Sequence, residues 1–232
     1  MFKSYIEWKK KVKCFHIENS HLSLDVNLYD YFLWRKNRFK KNKYLENPYP
    51  WLTNKTINFL KSYKGDDINL FEWGSGASTL WYSKQGYNVY TVEHDKEWYE
   101  SLISHQIYKE NKNIEITYIS LQISKNRDKD CILSSRMPGY DFTDYVNAIN
   151  KYNYEFFDLI VVDGRSRVHC LNVALRHLKR GGWIILDNAD RKDYMTSNEL
   201  NKYLLEWQSL DLSGVVYGIR YISGAKAWRK PN

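Results

Sequence analysis

The stretch Leu70-Phe71-Glu72-Trp73-Gly74-Ser75-Gly76-Ala77-Ser78-Thr79 constrains the fold of this chain more than any other. An apolar run ends in an acid, two glycines bracket a serine, and small hydroxyl residues open a helical pattern. That order reads as a strand turning directly into a helix. Only residues without a bulky side chain let the backbone turn so tightly and lie close to a ligand, and the open N–H groups at the helix start favour a polar or anionic group. A nucleoside cofactor is the natural candidate. What is missing narrows the choice: a dinucleotide fingerprint requires a third glycine where Thr79 stands, and a phosphate loop requires a lysine that does not follow Gly76.

An acid two residues before the first glycine, as in Glu72-Trp73-Gly74-Ser75-Gly76, resembles motif I of the class I S-adenosylmethionine-dependent methyltransferases. In that family the glycine loop lies against the methionine part of the cofactor. The resemblance thus implies S-adenosylmethionine held by Glu72, Gly74, Ser75, Gly76, Ser78 and Thr79. Asn88-Val89-Tyr90-Thr91-Val92-Glu93-His94-Asp95 bears on the idea, because this β-branched and aromatic run ends in an acid about twenty residues beyond the glycine loop. A carboxylate at the end of a second strand accepts hydrogen bonds from both ribose hydroxyls, the role expected of Glu93; a solvated strand-end acid is the alternative. His94 is expected beside it at the cofactor, or with Asp95 as a cap of the next helix. Trp98 and Tyr99 are expected under the adenosine or in the core.

At 232 residues and 43% apolar content the chain is long enough for one well-buried domain. No run approaches the roughly eighteen apolar residues of a membrane span, and Lys9-Lys10-Lys11 is followed by no apolar leader segment. Cys14, Cys131 and Cys170 are odd in number and widely spaced, which fits a reducing cytoplasm better than a disulfide framework or a zinc cluster. The formal charge of +8 is an N-terminal property: residues 1–64 hold 14 Lys and Arg against 5 Asp and Glu, leaving 21 against 22 for residues 65–232. Arg35, Lys36, Arg38, Lys40, Lys41 and Lys43 are interleaved with Tyr31, Trp34, Phe39 and Tyr44. Such a segment suits an anionic acceptor, a membrane surface or RNA, or is simply a solvated helical face.

The expected organisation is a basic, aromatic, helical N-terminal extension over residues 1–64 and an S-adenosylmethionine-binding domain over 65–232. In the extension, helices are predicted over 2–13, 28–41 and 53–63, with Ile57, Phe59 and Leu60 as buried positions. Strands over 68–73, 88–93 and 114–120 then alternate with helices over 77–85 and 96–108, the rhythm of a parallel, helix-covered sheet. Residues 121–140 interrupt it with polar sequence, as insertions that shape ligand sites do, and 141–149 reads as helix. A buried strand over 157–163 leads to a helix over 167–180 that Gly181-Gly182 stops, then a strand over 183–187 and a helix over 198–207. Residues 214–222 and 225–229 read as a closing hairpin. The fold class is α/β, a three-layer Rossmann-like sandwich whose seven-stranded, mostly parallel sheet ends in an antiparallel hairpin, and it resembles the class I methyltransferase sheet.

Ligands in open α/β sheets sit beyond the carboxyl ends of the strands, so residues just past each strand carry the most information. Val161-Val162-Asp163-Gly164-Arg165 and Leu186-Asp187-Asn188-Ala189-Asp190 both end strands in acids. Asp163 with Asp187 and Asn188 is similar to the small-molecule catechol and caffeoyl-type O-methyltransferases, a resemblance that implies a divalent cation, Mg²⁺, on those three residues. Gly164-Arg165-Ser166-Arg167 departs from the lysine-containing segment of those families. Direct acid–base and hydrogen-bonding roles, or a purely structural one, are the alternatives. Asp163 is the first candidate for a base at the acceptor oxygen, or else a helix cap, with Asp187 beside it. Arg165 and Arg167 either hold an acceptor phosphate or carboxylate, or pair with Asp163 and Asp190. His169 and Cys170 read as packed helix residues, and Tyr140, Asp141 and Tyr145 as the acceptor side by position.

The activity so implied is S-adenosylmethionine-dependent methyl transfer to oxygen of a small molecule or glycan, anionic acceptors included. RNA is the rival acceptor, and the chain lacks the Asn/Asp-Pro-Pro-Tyr/Phe sequence that amino-directed nucleic-acid enzymes carry after the fourth strand. A nucleoside-binding protein without catalysis is the third reading, and a nicotinamide-dependent oxidoreductase comes last because of Thr79.

Overall fold

The computed structural model describes residues 2–36, 48–63, 65–124, 131–134, 136–195 and 202–232. Seven strands form its main sheet: β1 (Asn69–Trp73), β2 (Asn88–Glu93), β3 (Ile114–Tyr118), β4 (Phe157–Val162), β5 (Leu178–Asp187), β6 (Gln208–Asp211) and β7 (Ala225–Arg229). Their order across the sheet is β3-β2-β1-β4-β5-β7-β6. The first five are mutually parallel, and β7 runs antiparallel to both β5 and β6. The chain therefore reverses its winding between β1 and β4. That switch point opens a crevice above the carboxyl ends of the strands.

β4 shows why the sheet needs cover on both faces. Phe157, Leu159, Ile160, Val161 and Val162 are all fully buried. Ile160 and Val162 join a core with Phe71, Trp73 and Ile184, while Leu159 and Val161 join another with Leu70, Val89 and Ile185. A run buried on alternate faces is the signature of a parallel sheet between helical layers. On one face lie α1 (Phe2–Glu18), α2 (Leu28–Lys36), α7 (Thr143–Asn147) and α8 (Arg167–Ala174). On the other lie α3 (Asn54–Ser62), α4 (Ala77–Lys84) and α5 (Lys96–Ser104), the last followed by the short α6 (Gln106–Glu110). Short helices α9 (Lys192–Met195) and α10 (Tyr203–Glu206) complete the set described.

Several boundaries differ from those read in the sequence. The first helix runs on to Glu18. The segment after 141 is helical from Thr143 and tightens into a 3₁₀ turn over Ala148–Lys151, while Tyr140–Asp141 pairs with Gln122–Ile123. The predicted helix over 167–180 ends at Ala174, and β5 starts at Leu178 opposite Phe157. Gly181-Gly182 therefore does not stop a helix. It carries a slip in the β4–β5 register, where Gly181 sits at φ +72° and a Cβ on Gly182 would lie 2.8 Å from the Asp158 carbonyl oxygen. The closing antiparallel hairpin is present, but its first arm is β6; Gly214–Val215 pairs instead with Ile222–Ser223 in a ribbon within the connection. The outer parts of the predicted helices over 28–41 and 198–207, with Arg38, Phe39, Lys40, Lys41, Lys43 and Tyr44, lie outside the described residues.

The N-terminal helices share the core of the sheet. Trp8, Phe15, Tyr31 and Trp34 are buried in the cluster that holds Phe71, Trp73 and Trp228, and Trp34 is fully enclosed with Trp8 at 5.7 Å between ring centroids. Trp34→Ala is expected to lower unfolding stability by about 3–5 kcal/mol, the cost of truncating a large enclosed aromatic. Urea unfolding followed by far-UV circular dichroism should show one transition shifted as a whole; local loss of the first two helices with the main transition unmoved would contradict the shared core.

Candidate functional site

The glycine turn after β1 is held from beneath by its own acid. Glu72 is fully buried, and its carboxyl oxygens accept hydrogen bonds from Ser78 Oγ at 2.5 Å, Thr79 Oγ1 at 2.6 Å and Thr91 Oγ1 at 3.4 Å. Thr79 Oγ1 also accepts from the Gly76 backbone N–H at 2.9 Å. The end of β1, the loop and the first turn of α4 thus form one hydrogen-bonded unit. Burial pushes the Glu72 pKa up to about 8; the three hydroxyls pull it down and Asp163 adds to the rise.

Gly74 sits at φ +92°, and a Cβ there would lie 2.9 Å from Gly164 Cα, so the loops after β1 and β4 pass in backbone contact. A cavity opens over this crossing, lined by Trp51, Gly74, Ser75, Gly76, Ala77, Ser78, Trp98 and Asp163. Trp98 donates its indole N–H to the Ser75 carbonyl oxygen at 2.6 Å. Glu93 closes the other side of the loop: it is buried, and it accepts from Ser75 Oγ at 3.1 Å and from the backbone N–H groups of His94 and Asp95, both at 2.8 Å. His94 Nδ1 lies 3.0 Å from Glu93, with its ring against Phe142 and Tyr145. Asp95 caps α5 by accepting from Trp98 N–H.

Across the crevice a buried guanidinium joins two strand ends. Arg167 is 4% exposed; its Nη2 bonds Asp163 Oδ1 at 3.0 Å, and its Nη1 reaches the Asp187 carbonyl oxygen at 2.5 Å and Oδ2 at 3.5 Å. Burial lowers the Arg167 pKa, and the two carboxylates more than offset it, leaving a net rise. Asp187 is also buried; desolvation and the Asp163 charge raise its pKa, and Arg167 opposes them. The residues after both strands adopt left-handed backbone, Ser166 at φ +49° and Asn188 at φ +52°, as strained turns at ligand sites do.

The predicted residues separate into groups. Gly74, Ser75, Gly76, Ser78 and Asp163 meet at the cavity. Glu72 and Thr79 lie behind it as the loop's support, and Glu93 touches it through Ser75. Asp163, Asp187 and Asn188 do not offer a divalent cation two uncommitted carboxylates, because both acids already share the buried Arg167. The Asn188 amide nitrogen donates to Ser223 Oγ at 2.9 Å, and among the described residues Asp187 Oδ1 has no hydrogen-bond partner. Among the described residues no cluster of three or more His, Cys, Asp or Glu is placed to hold a metal. Asp187 is 2% exposed and serves Arg167 rather than the cavity. Arg165 is half-buried, and Cys170 lies fully buried in α8 with its Sγ on the Arg165 carbonyl oxygen. Asp190 accepts from Ser223 Oγ and Gly224 N–H and does not pair with Arg167.

Of the two arginines expected either to hold an acceptor anion or to pair with Asp163 and Asp190, Arg167 pairs with Asp163, four residues before it at a helical ion-pair spacing. Trp51 is the lining residue that the sequence reading missed. Trp51 carries no local signal, because only tertiary pairing brings residues 49–53 to the glycine loop.

Solved structures share this architecture. A methyltransferase-like protein from Silicibacter pomeroyi superposes at TM-score 0.50, with 18% identity over 80% of this chain and 91% of its own. A methyltransferase from Pyrococcus furiosus gives 0.50 and 16% over 97% and 99%, and an rRNA methylase from Streptococcus thermophilus gives 0.51 and 11% over 76% and 95%. No family profile and no curated protein matches the sequence. The chain has the Rossmann-like fold of the class I methyltransferases. Among the described residues no helix is long and apolar enough to cross a membrane.

Glu72 generates a pH dependence. Between its ordinary value of 4.5 and the folded value of about 8 the native chain holds a proton that the unfolded chain has released. Stability therefore falls as pH rises through that window, with a limiting slope of about 1.4 kcal/mol per pH unit from this group. Glu72→Gln, which keeps the shape of the neutral acid, should flatten that decline in urea midpoints measured from about pH 5 to about pH 8.5. An unchanged slope would show that Glu72 is ionised throughout.

Proposed function

We propose that this chain is an S-adenosylmethionine-dependent methyltransferase that acts on oxygen of a small molecule or glycan. The observation that carries the reading is the cavity at the crossing of Gly74 and Gly164, at the switch point of this fold. Its lining has backbone, small hydroxyls, two indoles and one carboxylate, with no lysine or arginine. Those groups fit a nucleoside that carries a cationic centre better than a dinucleotide. Glu93, at the end of β2 and bonded to Ser75, is the acid for the ribose hydroxyls, and the glycine loop faces the methionine portion.

When bound, S-adenosylmethionine supplies an electrophilic methyl group. The protein's task is to hold an acceptor oxygen in line with it and to receive the acceptor's proton, and most of the rate gain comes from that positioning. Asp163 lines the cavity with its side chain 27% exposed, while Arg167 fixes its carboxylate from behind. It is the group placed to take the hydroxyl proton. No step is routed through a metal, since Arg167 supplies the fixed positive charge that the two acids require.

A small polar acceptor is preferred to RNA on the charge balance of the described surface. A second cavity runs between α1 and the loop before β7, with Glu7, Lys10, Lys11, Glu18, Asp190 and Arg220 in its walls. Three cations are balanced there by three carboxylates, so the walls lack the single-sign field that draws a polyanion. Phe15 and Tyr221 add apolar surface.

Calorimetric titration with S-adenosylmethionine tests the proposal. The unsubstituted chain should bind, and Gly74→Ala should lose at least about tenfold in affinity because it clashes with the Gly164 backbone and disfavours φ +92°. Absence of binding overturns the reading. With an acceptor in hand, Asp163→Asn should lower kcat by about 10²–10⁴ with cofactor affinity little changed, as loss of a general base does.

A further inference from the structure

The cavity over the glycine loop has one wall that does not come from the fold's nucleotide-binding core. Trp51 precedes β1 by a whole helix, yet it lines the same cavity as Gly74, Ser75, Gly76 and Asp163, with 47% of its surface exposed. An indole left half in water is explained by what holds it there. Leu52 next to it is fully buried and accepts from Tyr217 N–H at 3.0 Å; Thr53 bridges to Val216 and donates its hydroxyl to the Leu212 carbonyl oxygen at 2.6 Å. Tyr49 on the other side stacks on Tyr217 at 3.7 Å between centroids and packs on Trp81 of α4. The segment is thus pinned on both sides of Trp51, and the ring is presented at the mouth rather than folded away.

The same cavity is lined by Trp98, fixed by its bond to Ser75, and by the Asp163 carboxylate, the one charged group in the lining. Two indoles in the lining favour positive charge, because the negative face of an indole attracts a cation while a neutral ligand gains only packing. Asp163 is already paired with Arg167 from behind, so the indoles rather than the acid carry the preference. The methyl donor carries a positive sulfonium, and its product after transfer is a neutral thioether.

We propose that Trp51 is the charge-selective wall of this site: it holds the sulfonium of the donor by a cation–π contact and releases the neutral thioether product. The inference rests on the methyl-donor reading above and assigns to residue 51 a selectivity that the glycine loop and Glu93 do not supply, since both meet parts common to donor and product. Product release is thereby favoured by the loss of charge that accompanies transfer.

Calorimetric affinities for S-adenosylmethionine, S-adenosylhomocysteine and sinefungin, which carries an ammonium in place of the sulfonium, test this in the full chain. Trp51→Leu keeps an apolar side chain and removes the π face. It should weaken both cationic ligands by about three- to thirtyfold, the range that cation–π energies convert to, and leave the thioether within about twofold. Trp51→Phe should retain most of the preference. Equal weakening of all three ligands, or no change in any, overturns the charge-selective role while leaving the donor site intact. Failure of the unsubstituted chain to bind any of them overturns the methyl-donor reading and this inference with it.

Discussion

The buried guanidinium of Arg167 is the interaction on which the rest of the site depends. It ties the carboxyl end of β4, through Asp163, to the carboxyl end of β5, through the side chain and carbonyl of Asp187, with the guanidinium itself buried. A charge so placed is tolerated only with its partners present; removing one member of such a set costs about 3–5 kcal/mol because the others are left uncompensated. The two acids would repel across the crevice without it. With it, Asp163 is held facing the cavity and Asp187 is kept behind. An internal cation thus pairs with both acids of the acid-acid-amide pattern.

The glycine loop is organised around a second enclosed group, an acid that burial keeps protonated below about pH 8. Glu72 is enclosed, and the hydroxyls of Ser78, Thr79 and Thr91 converge on it, so the loop is shaped from below and leaves its backbone to face the ligand. Close backbone passage between Gly74 and Gly164 then sets how near the β1 and β4 loops come. A small hydroxyl at Ser75 connects this unit to Glu93, which spans the end of β2 and the start of α5. The ends of β1, β2 and β5 each carry a buried acid, and Asp163 at the end of β4 is the one that reaches the cavity.

The N-terminal region has a part that packs in the core and a part that lines cavities. Trp8, Tyr31 and Trp34 complete the apolar core on one face of the sheet, and Leu52, Ile57 and Leu60 contribute to the other. Between them the chain brings α1 against the second cavity and Trp51 against the first. The positive charge concentrated before residue 64 does not form a one-sign surface at that second cavity, because Glu7, Glu18 and Asp190 stand among the lysines.

The sequence by itself determined the alternating α/β order, the strand-to-helix turn at Gly74–Gly76 and the acids at the ends of β1, β2, β4 and β5, because these follow from local apolar runs, from glycine's backbone freedom and from strand ends read one at a time. It misplaced the start of β5 and the first arm of the closing hairpin, since Leu178 is set in its strand by Phe157 and Asp211 by Lys226, partners far along the chain. Tertiary structure alone decided which polar groups face a ligand and which face one another. Glu72 and Asp187 look like site acids in the sequence and are interior partners in the fold; Arg167 looks like one of two equivalent arginines and is the buried link; Trp51 looks like a loop residue and lines the cavity. The reason is physical: a carboxylate's or an indole's role depends on what desolvates it and what it bonds, and those neighbours come together only when distant segments pack.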